Sequence, residues 1–250
     1  MTQELSPNEQ AAREMVCLPL DGLNTLDEVR GMVEELSPYV GLFKVGKESF
    51  TRFGPAVVEL VHQHGAGVFL DLKYHDIPNT VKGAARAATE MGIAIFNVHA
   101  SGGAAMMSAA RAGVDEAATD GRPAPRVIAV TVLTSIDREV LNTECGVAGA
   151  VEDQVLHLAK LTDAAGLDGI VCSAADLHAL AGHMRDDFLF VTPGIKGTTT
   201  PAGADQKRVL SPGRAVEAGS SLLVVGRAIT GAPDRRRAAL EVLQDIARVL

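Results

Sequence analysis

The sequence has no tryptophan, 2 tyrosines and 3 cysteines among its 250 residues. The cysteines Cys17, Cys145 and Cys172 are far apart and odd in number, so neither a disulfide framework nor a CxxC metal site is indicated. A basic surplus is also absent, because the net charge is −8 and no Lys/Arg stripe is interleaved with aromatics. This composition argues against a nucleic-acid surface, and any anionic ligand must be bound by a local site.

Long apolar runs and several common catalytic motifs are missing as well. No apolar stretch approaches the ~20 residues of a membrane span, and residues 1–14 are polar and acidic, without the basic start and apolar segment of a signal peptide. The sequence contains no HExxH, GxSxG or Walker-type loop, which removes the zincin, serine-hydrolase and P-loop interpretations. We expect a cytoplasmic protein without nucleic-acid or membrane partners, with a solvated N-terminal arm over residues 1–15.

Short apolar runs alternate with longer amphipathic stretches from Val16 onward, which is typical of repeated βα units. The predicted strands are 16–20, 41–45, 67–70, 94–98, 127–130, 169–171, 188–191 and 222–225. The predicted helices are 25–36, 53–64, 79–91, 103–116, 151–164, 175–184, 212–218 and 234–249. Eight such units in a chain of this length predict one α/β domain over residues 16–250, a TIM (β/α)8 barrel, with a doubly wound open sheet as the alternative.

Polar residues follow most of the predicted strands, at the end of the barrel where active sites lie. They are Asp21, Lys44, Asp71, Lys73, Asn97, His99, Thr131, Thr134 and, directly after Gly226, Arg227. Each one alone could be a satisfied buried polar group or a loop residue. Together they indicate a site at the carboxyl ends of the strands.

The segment around the third strand carries the most information. Asp71 and Lys73 lie two apart on a strand, so we expect them to point to the same side, with Asp76 in the following loop. Lys44, at the end of the neighbouring strand, would complete an array of alternating charges. An array of this kind can hold a lysine ammonium rigidly as a proton donor. The alternative is an ion-pair network that only closes the barrel rim.

Two further segments resemble the phosphate loops of barrels, which follow strands seven and eight. The first runs from Thr192 through Pro193 and Lys196 to a Thr/Gly-rich loop that ends near Gln206, and residues 198–204 are expected to form a mobile lid. In the second, Gly226 allows close backbone approach and Arg227 can grip phosphate oxygens in a bidentate way. The alternative is a loop without a ligand.

The stretch DLKYHDIPNT at residues 71–80 resembles the motif of the orotidine 5'-monophosphate decarboxylase family. The resemblance extends from LPLD at 18–21 through FKVG at 43–46, NVH at 97–99 and VTVLTS at 130–135 to the phosphate loops. It covers the chain from about Val16 to its end. The resemblance implies a TIM-barrel homodimer that decarboxylates orotidine 5'-monophosphate to UMP without a metal or organic cofactor.

The resemblance also implies roles for individual residues. Lys73 would protonate C6, Asp71 would lie beside the leaving CO2, and Lys44 and Asp76 would complete the network. Asp21 and Lys44 would hold the ribose, and Thr134 the pyrimidine edge. Asp76, Ile77 and Thr80 would reach the partner's site. Gln206, Gly226 and Arg227 would bind the phosphate. Pro193 and Lys196 would also contact the substrate, although the family usually has arginine where this chain has Lys196.

Two other functions are compatible with parts of the pattern. A metal-dependent sugar-phosphate decarboxylase of the same superfamily shares the Asp-x-Lys-x-x-Asp spacing, but by resemblance it has a glutamate metal ligand near the end of the second strand. Lys44 occupies that region here, and a cation there opposes Mg²⁺ binding. A non-catalytic phosphate-binding barrel would require the charged array to be purely structural.

Overall fold

The computed structural model describes residues 4–119, 121, 123–195 and 210–250. Eight strands form a closed barrel in chain order, and the pairings described between neighbouring strands are parallel. This closure confirms the predicted TIM-type barrel and excludes the open sheet. The strands are β1 Val16–Pro19, β2 Leu42–Gly46, β3 Gly67–Tyr74, β4 Ile95–His99, β5 Arg126–Val130, β6 Gly169–Val171, β7 Leu189–Pro193 and β8 Leu222–Val224.

The described residues contain twelve α-helices and one short 3-10 turn at Ala100–Gly102. The helices are α1 Pro7–Glu14, α2 Leu26–Leu36, α3 Lys47–Phe53, α4 Ala56–Gln63, α5 Pro78–Glu90, α6 Gly103–Ala117, α7 Arg138–Thr143, α8 Val151–Ala164, α9 Leu177–Leu180, α10 Pro212–Glu217, α11 Arg227–Thr230 and α12 Arg235–Ala247. None of the helices in this part of the chain has both the length and the apolarity needed to cross a bilayer.

The predicted helix 53–64 is wrong at its N-terminal end. Helix α3 ends at Phe53, and Gly54 follows with a φ of 60° in the left-handed region that favours glycine. Pro55 then precedes α4, which begins at Ala56. The Gly-Pro pair therefore separates α4, which the sequence predicted, from α3, which it did not.

The N-terminal segment is more ordered than the expected solvated arm. Ser6 and Glu9 form a reciprocal capping box that starts helix α1, with the Ser6 N–H donating to a Glu9 carboxylate oxygen at 2.8 Å. Ala12 is fully buried, and α1 packs against α12. Residues 7–14 therefore form a docked helix, while the boundary between residues 15 and 16 stays a prediction.

The chain divides into two compact units, one comprising Met1–Asp71 with Thr192–Leu250 and the other Leu72–Val191. In the first unit, β1 and β2 bury Leu18, Phe43 and Val45. In the second, a buried cluster joins α8, β6 and α9 through residues such as Val155 and Ile170. Each unit thus has its own core of buried apolar side chains.

Candidate active site

An ion-pair cluster lies at the carboxyl ends of β1, β2 and β3. The ammonium of Lys44, on β2, lies 3.0 Å from Oδ2 of Asp21 and 3.3 Å from Oδ2 of Asp71. Strand register explains the meeting, because Pro19 pairs with Lys44 and Gly46 pairs with Asp71. Lys44 and Asp71 are each only 9% exposed. Three of the predicted site residues are therefore brought together, two of them almost buried.

The two carboxylates determine the charge state of Lys44. Burial alone would lower the pKa of this ammonium, because the charged form loses hydration. Attraction to Asp71 and Asp21, with hydrogen bonds to both, outweighs burial and raises the pKa of Lys44 above its usual range. Lys44 is therefore a fixed cation at neutral pH.

Gly46 makes room for this cluster, a role that the sequence analysis missed. A Cβ atom at this position would lie 2.7 Å from Oδ1 of Asp21 and 2.8 Å from Nζ of Lys44, closer than real side chains approach. The only signal in the sequence is a glycine two residues after Lys44. Any side chain at residue 46 must displace one of the two charged groups.

A buried thiol adjoins the same cluster. Cys17 on β1 is completely buried, and burial raises the pKa of its thiol strongly, against a smaller lowering by the Lys44 charge. The thiol is therefore neutral and behaves as a small apolar group. It belongs to the core beneath the cluster and is not a candidate nucleophile.

Lys73, near the end of β3, has an unusual backbone conformation. Its φ of 52° is the only positive value among the described non-glycine residues. Such a conformation costs about 1–3 kcal/mol and is concentrated at functional sites. The expectation that Asp71 and Lys73 point to the same side assumed an extended strand through residue 73. The left-handed backbone means that alternation along the strand does not determine the direction of Lys73.

The Lys73 backbone is held by a side chain that the sequence analysis noted only as one of the polar residues at the strand ends. The Lys73 N–H donates to Oδ1 of Asn97 at 2.8 Å. Asn97 lies on β4 and is only 1% exposed. A polar residue in an otherwise apolar strand was the available signal, but its partner could not be read from the sequence.

The predicted partner-contacting residues lie together on an exposed turn. Asp76 accepts a hydrogen bond from the Ile77 N–H at 2.6 Å, and Thr80 lies in the first turn of α5. All three are exposed, and Ile77 is 68% exposed although its side chain is apolar. The segment thus presents an apolar side chain next to a carboxylate on the surface.

The remaining predicted substrate-binding residues are divided among several positions. Pro193 is the last residue of β7, and Thr134 lies in an exposed turn after β5. Gly226 follows β8, where a Cβ atom would lie 3.2 Å from Cγ of Pro19. Arg227 is exposed at the start of α11. Lys196, Gln206 and the expected lid at 198–204 lie outside the described residues.

Within the described ranges, no group of three or more acidic, histidine or cysteine side chains is arranged to hold a metal ion.

Comparison with known proteins assigns the chain to a family. The sequence model of the "Orotidine 5'-phosphate decarboxylase / HUMPS family" matches residues 14–242. A protein from Moorella thermoacetica named orotidine 5'-phosphate decarboxylase is 48% identical over 242 residues, which is 95% of this chain and 94% of that protein. One from Syntrophus aciditrophicus is 46% identical over 253 residues, covering 100% and 99%.

A solved structure extends the likeness to the fold. The crystal structure of orotidine 5'-phosphate decarboxylase from Lactobacillus acidophilus matches with a TM-score of 0.82 and 38% sequence identity. The match covers 93% of this chain and 99% of that one. With the family match over most of its length, the chain belongs to the orotidine 5'-phosphate decarboxylase / HUMPS family.

Proposed function

We propose that this protein is an orotidine 5'-phosphate decarboxylase, which converts orotidine 5'-monophosphate to UMP and CO2 in pyrimidine biosynthesis. The observation that carries the proposal is the almost buried Lys44, held by Asp21 and Asp71 at the carboxyl ends of three strands. Barrel enzymes have their active sites at this end. Relatives that are 45–48% identical over most of the chain have this name, which supports the same activity here.

The proposed reaction breaks the bond between C6 of the pyrimidine and its carboxylate. The electron pair of that bond stays on C6, and CO2 departs. Lys73 then donates a proton from its ammonium to C6, which gives UMP, and the neutral amine regains a proton from solvent. A cation fixed near C6 favours the charge that develops there in the transition state.

The other members of the array have supporting roles in this proposal. Asp71 lies beside the leaving CO2, and Asp76 completes the sequence of alternating charges. Lys44 balances Asp71, because an unpaired carboxylate at an almost buried position is unfavourable. Since its pKa is raised by its carboxylate partners, Lys44 keeps this charge throughout the neutral range.

Substrate binding uses groups remote from C6. Asp21 and Lys44 hold the ribose hydroxyls, and Thr134 contacts the pyrimidine edge. The phosphate is bound at the loops after β7 and β8 by Gln206, Gly226 and Arg227, and Pro193 and Lys196 also contact the substrate. Binding energy from this non-reacting group can be used to orient the ring, which raises the rate of the chemical step.

We also propose a homodimer with shared sites. Asp76, Ile77 and Thr80 would extend into the partner's site, and a two-fold interface would make both sites equivalent. All three side chains are exposed, so they are accessible to a partner subunit.

The principal rival is the metal-dependent sugar-phosphate decarboxylase. Its expected glutamate ligand is replaced here by Lys44, whose positive charge opposes a divalent cation at the end of β2. The proposed reaction needs no metal or organic cofactor. The two functions are therefore distinguished by the response to a chelator.

The test follows the absorbance of the orotate ring in orotidine 5'-monophosphate, with and without EDTA. The proposal predicts loss of the signal at the same rate in both samples, with UMP as the product. Turnover that EDTA abolishes would support the rival. No turnover of this substrate in either sample would contradict the proposed activity.

A further inference from the structure

The geometry points to Asn97 as a positioning residue for the proposed reaction, one that holds Lys73 in its left-handed conformation and so directs the ammonium. This inference rests on the proposed function. It concerns the backbone that carries the proton donor, and Asn97 itself does not touch the substrate.

The first observation is the contact itself. Oδ1 of Asn97 accepts the backbone N–H of Lys73 at 2.8 Å, across 24 positions of sequence. Because the carbonyl oxygen of the amide accepts from an N–H, the orientation of the amide group is determined. Lys73 has a φ of 52°, where L-residues rarely lie unless their surroundings hold them.

The second observation is that the next residue is also held by β4. The ring of Tyr74 packs on the ring of Phe96, with centroids 5.9 Å apart. Burial raises the pKa of Tyr74 to about 12, because the charged phenolate would lose hydration. Two consecutive residues of β3 are thus fixed by two consecutive residues of β4.

The third observation is the rigidity of Asn97. It is only 1% exposed, and the flanking Phe96 and Val98 are fully buried. The strand pairs in register with β5, with Asn97 opposite Ile128. An acceptor on such a support can fix a backbone closely, which is what a proton donor on a long flexible side chain requires.

The consequence for the reaction is specific. If the Asn97 acceptor is removed, Lys73 can relax to an extended backbone, which moves the start of its side chain and misdirects the ammonium. Phosphate and ribose binding do not use this contact. The loss should therefore appear in kcat and in proton transfer to C6, while affinity for UMP is kept.

The test compares three variants of the full-length protein with the wild type. Asn97→Leu removes the acceptor at nearly constant size. Asn97→Asp keeps an acceptor at the same place, because a carboxyl group that becomes protonated on burial retains its carbonyl oxygen. Thr89→Val is the matched control, because Thr89 is fully buried in α5 and its hydroxyl donates to the Ala85 carbonyl of the same helix at 2.9 Å. The measurements are kcat, the Kd for UMP, and exchange of the C6 proton of UMP in D2O, which is the reverse of the protonation step.

We expect Asn97→Leu to lower kcat and the exchange rate by roughly 100-fold, since a displacement of about 1 Å at a reacting group has this effect. Its Kd for UMP stays close to the wild-type value, Asn97→Asp recovers most of the loss, and Thr89→Val matches the wild type. Unchanged kcat in Asn97→Leu, equal losses in both Asn97 variants, or a parallel loss of UMP affinity would overturn the inference.

Two further measurements keep the test decisive. If Asn97→Leu does not fold, Asn97→Ser replaces it, since a serine hydroxyl is too short to reach the Lys73 N–H. Equal activity of the Asp and Ser variants would then overturn the inference. If wild-type protein fails to turn over the substrate, the proposed function has failed, and the crystal structure of the Leu variant still decides the backbone claim. In that variant the backbone of Lys73 should leave the left-handed region. A Lys73 φ that stays near 52° would contradict the inference.

Discussion

The ammonium of Lys44 lies 3.3 Å from a carboxylate oxygen of Asp71, and strand register brings the two together. Both side chains are almost buried, so each charge stabilises the other. Asp21 joins from the end of β1, and its side chain is more exposed than those of Lys44 and Asp71. The arrangement supplies a fixed cation between two carboxylates at the carboxyl ends of β1, β2 and β3.

The first prediction concerns the space that Gly46 leaves for this cluster. Gly46→Ala places a methyl group within 2.8 Å of Asp21 and Lys44, so one of the two must move. We expect kcat/KM to fall by roughly 100-fold, the effect of a displacement of about 1 Å. Gly31→Ala is the control, because a Cβ at this position in α2 meets nothing within 4 Å. The control should keep full activity, and equal behaviour of the two variants would disprove the crowding argument.

The second prediction concerns the thiols. Burial raises the pKa of Cys17 and of Cys172, whereas Cys145 is exposed. Iodoacetamide alkylates only a thiolate that it can reach. At about pH 8 it should therefore modify Cys145 alone in the native protein. Denaturation should make all three cysteines reactive. Mass spectrometry of the digested protein measures this directly, and native labelling of Cys17 as fast as Cys145 would contradict the burial of the core beneath Lys44.

The third prediction concerns Arg227. Its exposed guanidinium at the start of α11 is proposed to bind phosphate. Arg227→Ala should lower kcat/KM by roughly 10- to 100-fold, since a hydrogen bond to a charged group contributes ~1.5–3 kcal/mol. Added phosphite dianion should restore part of the activity. Arg214→Ala is the control. Arg214 is also an exposed arginine, and its guanidinium lies 3.8 Å from the carboxylate of Glu217, one turn further along the chain. Equal effects of both substitutions, or no rescue, would exclude a phosphate role.

The fourth prediction concerns shared sites. If Asp76 acts in the partner's site, co-refolding Lys73→Ala with Asp76→Ala gives mixed dimers in which one site carries both lesions and the other none. With random pairing, recovery should approach roughly a quarter of wild-type activity. Each variant refolded alone is the control and should be inactive. Confirmed mixed dimers without turnover would show that Asp76 acts within its own chain.

Strand periodicity was enough to predict the barrel, and the polar strand ends were enough to select Lys44 and Asp71. Both inferences depend on local patterns, because the residue at which a strand ends is close to the rest of that strand in sequence. The helix predicted at residues 53–64 began too early, because amphipathic spacing continued through Gly54 and Pro55, whose backbone preferences override it. The capping box at Ser6 and Glu9 was present in the sequence, but the segment was predicted to be a solvated arm because its composition is polar.

The features that sequence could not supply are relations between distant residues. Nothing near Asn97 indicates that its amide accepts the N–H of Lys73, because this contact depends on how β3 ends. The left-handed backbone at Lys73 likewise has no local signal, since lysine does not favour it. Gly46 could be recognised as important only once the positions of Asp21 and Lys44 were known.

The central claim is that Lys73 is the proton donor of a decarboxylase, and the most direct test measures turnover and UMP binding of Lys73→Ala side by side. Turnover of orotidine 5'-monophosphate should fall by about 10²- to 10⁴-fold or more, the contribution of a positioned acid. The Kd for UMP should change little, because phosphate and ribose are bound elsewhere. Lys160→Ala, an exposed lysine of α8, should match the wild type in both measurements. A folded Lys73→Ala protein with turnover within about tenfold of wild type would contradict the assignment of Lys73 as the acid.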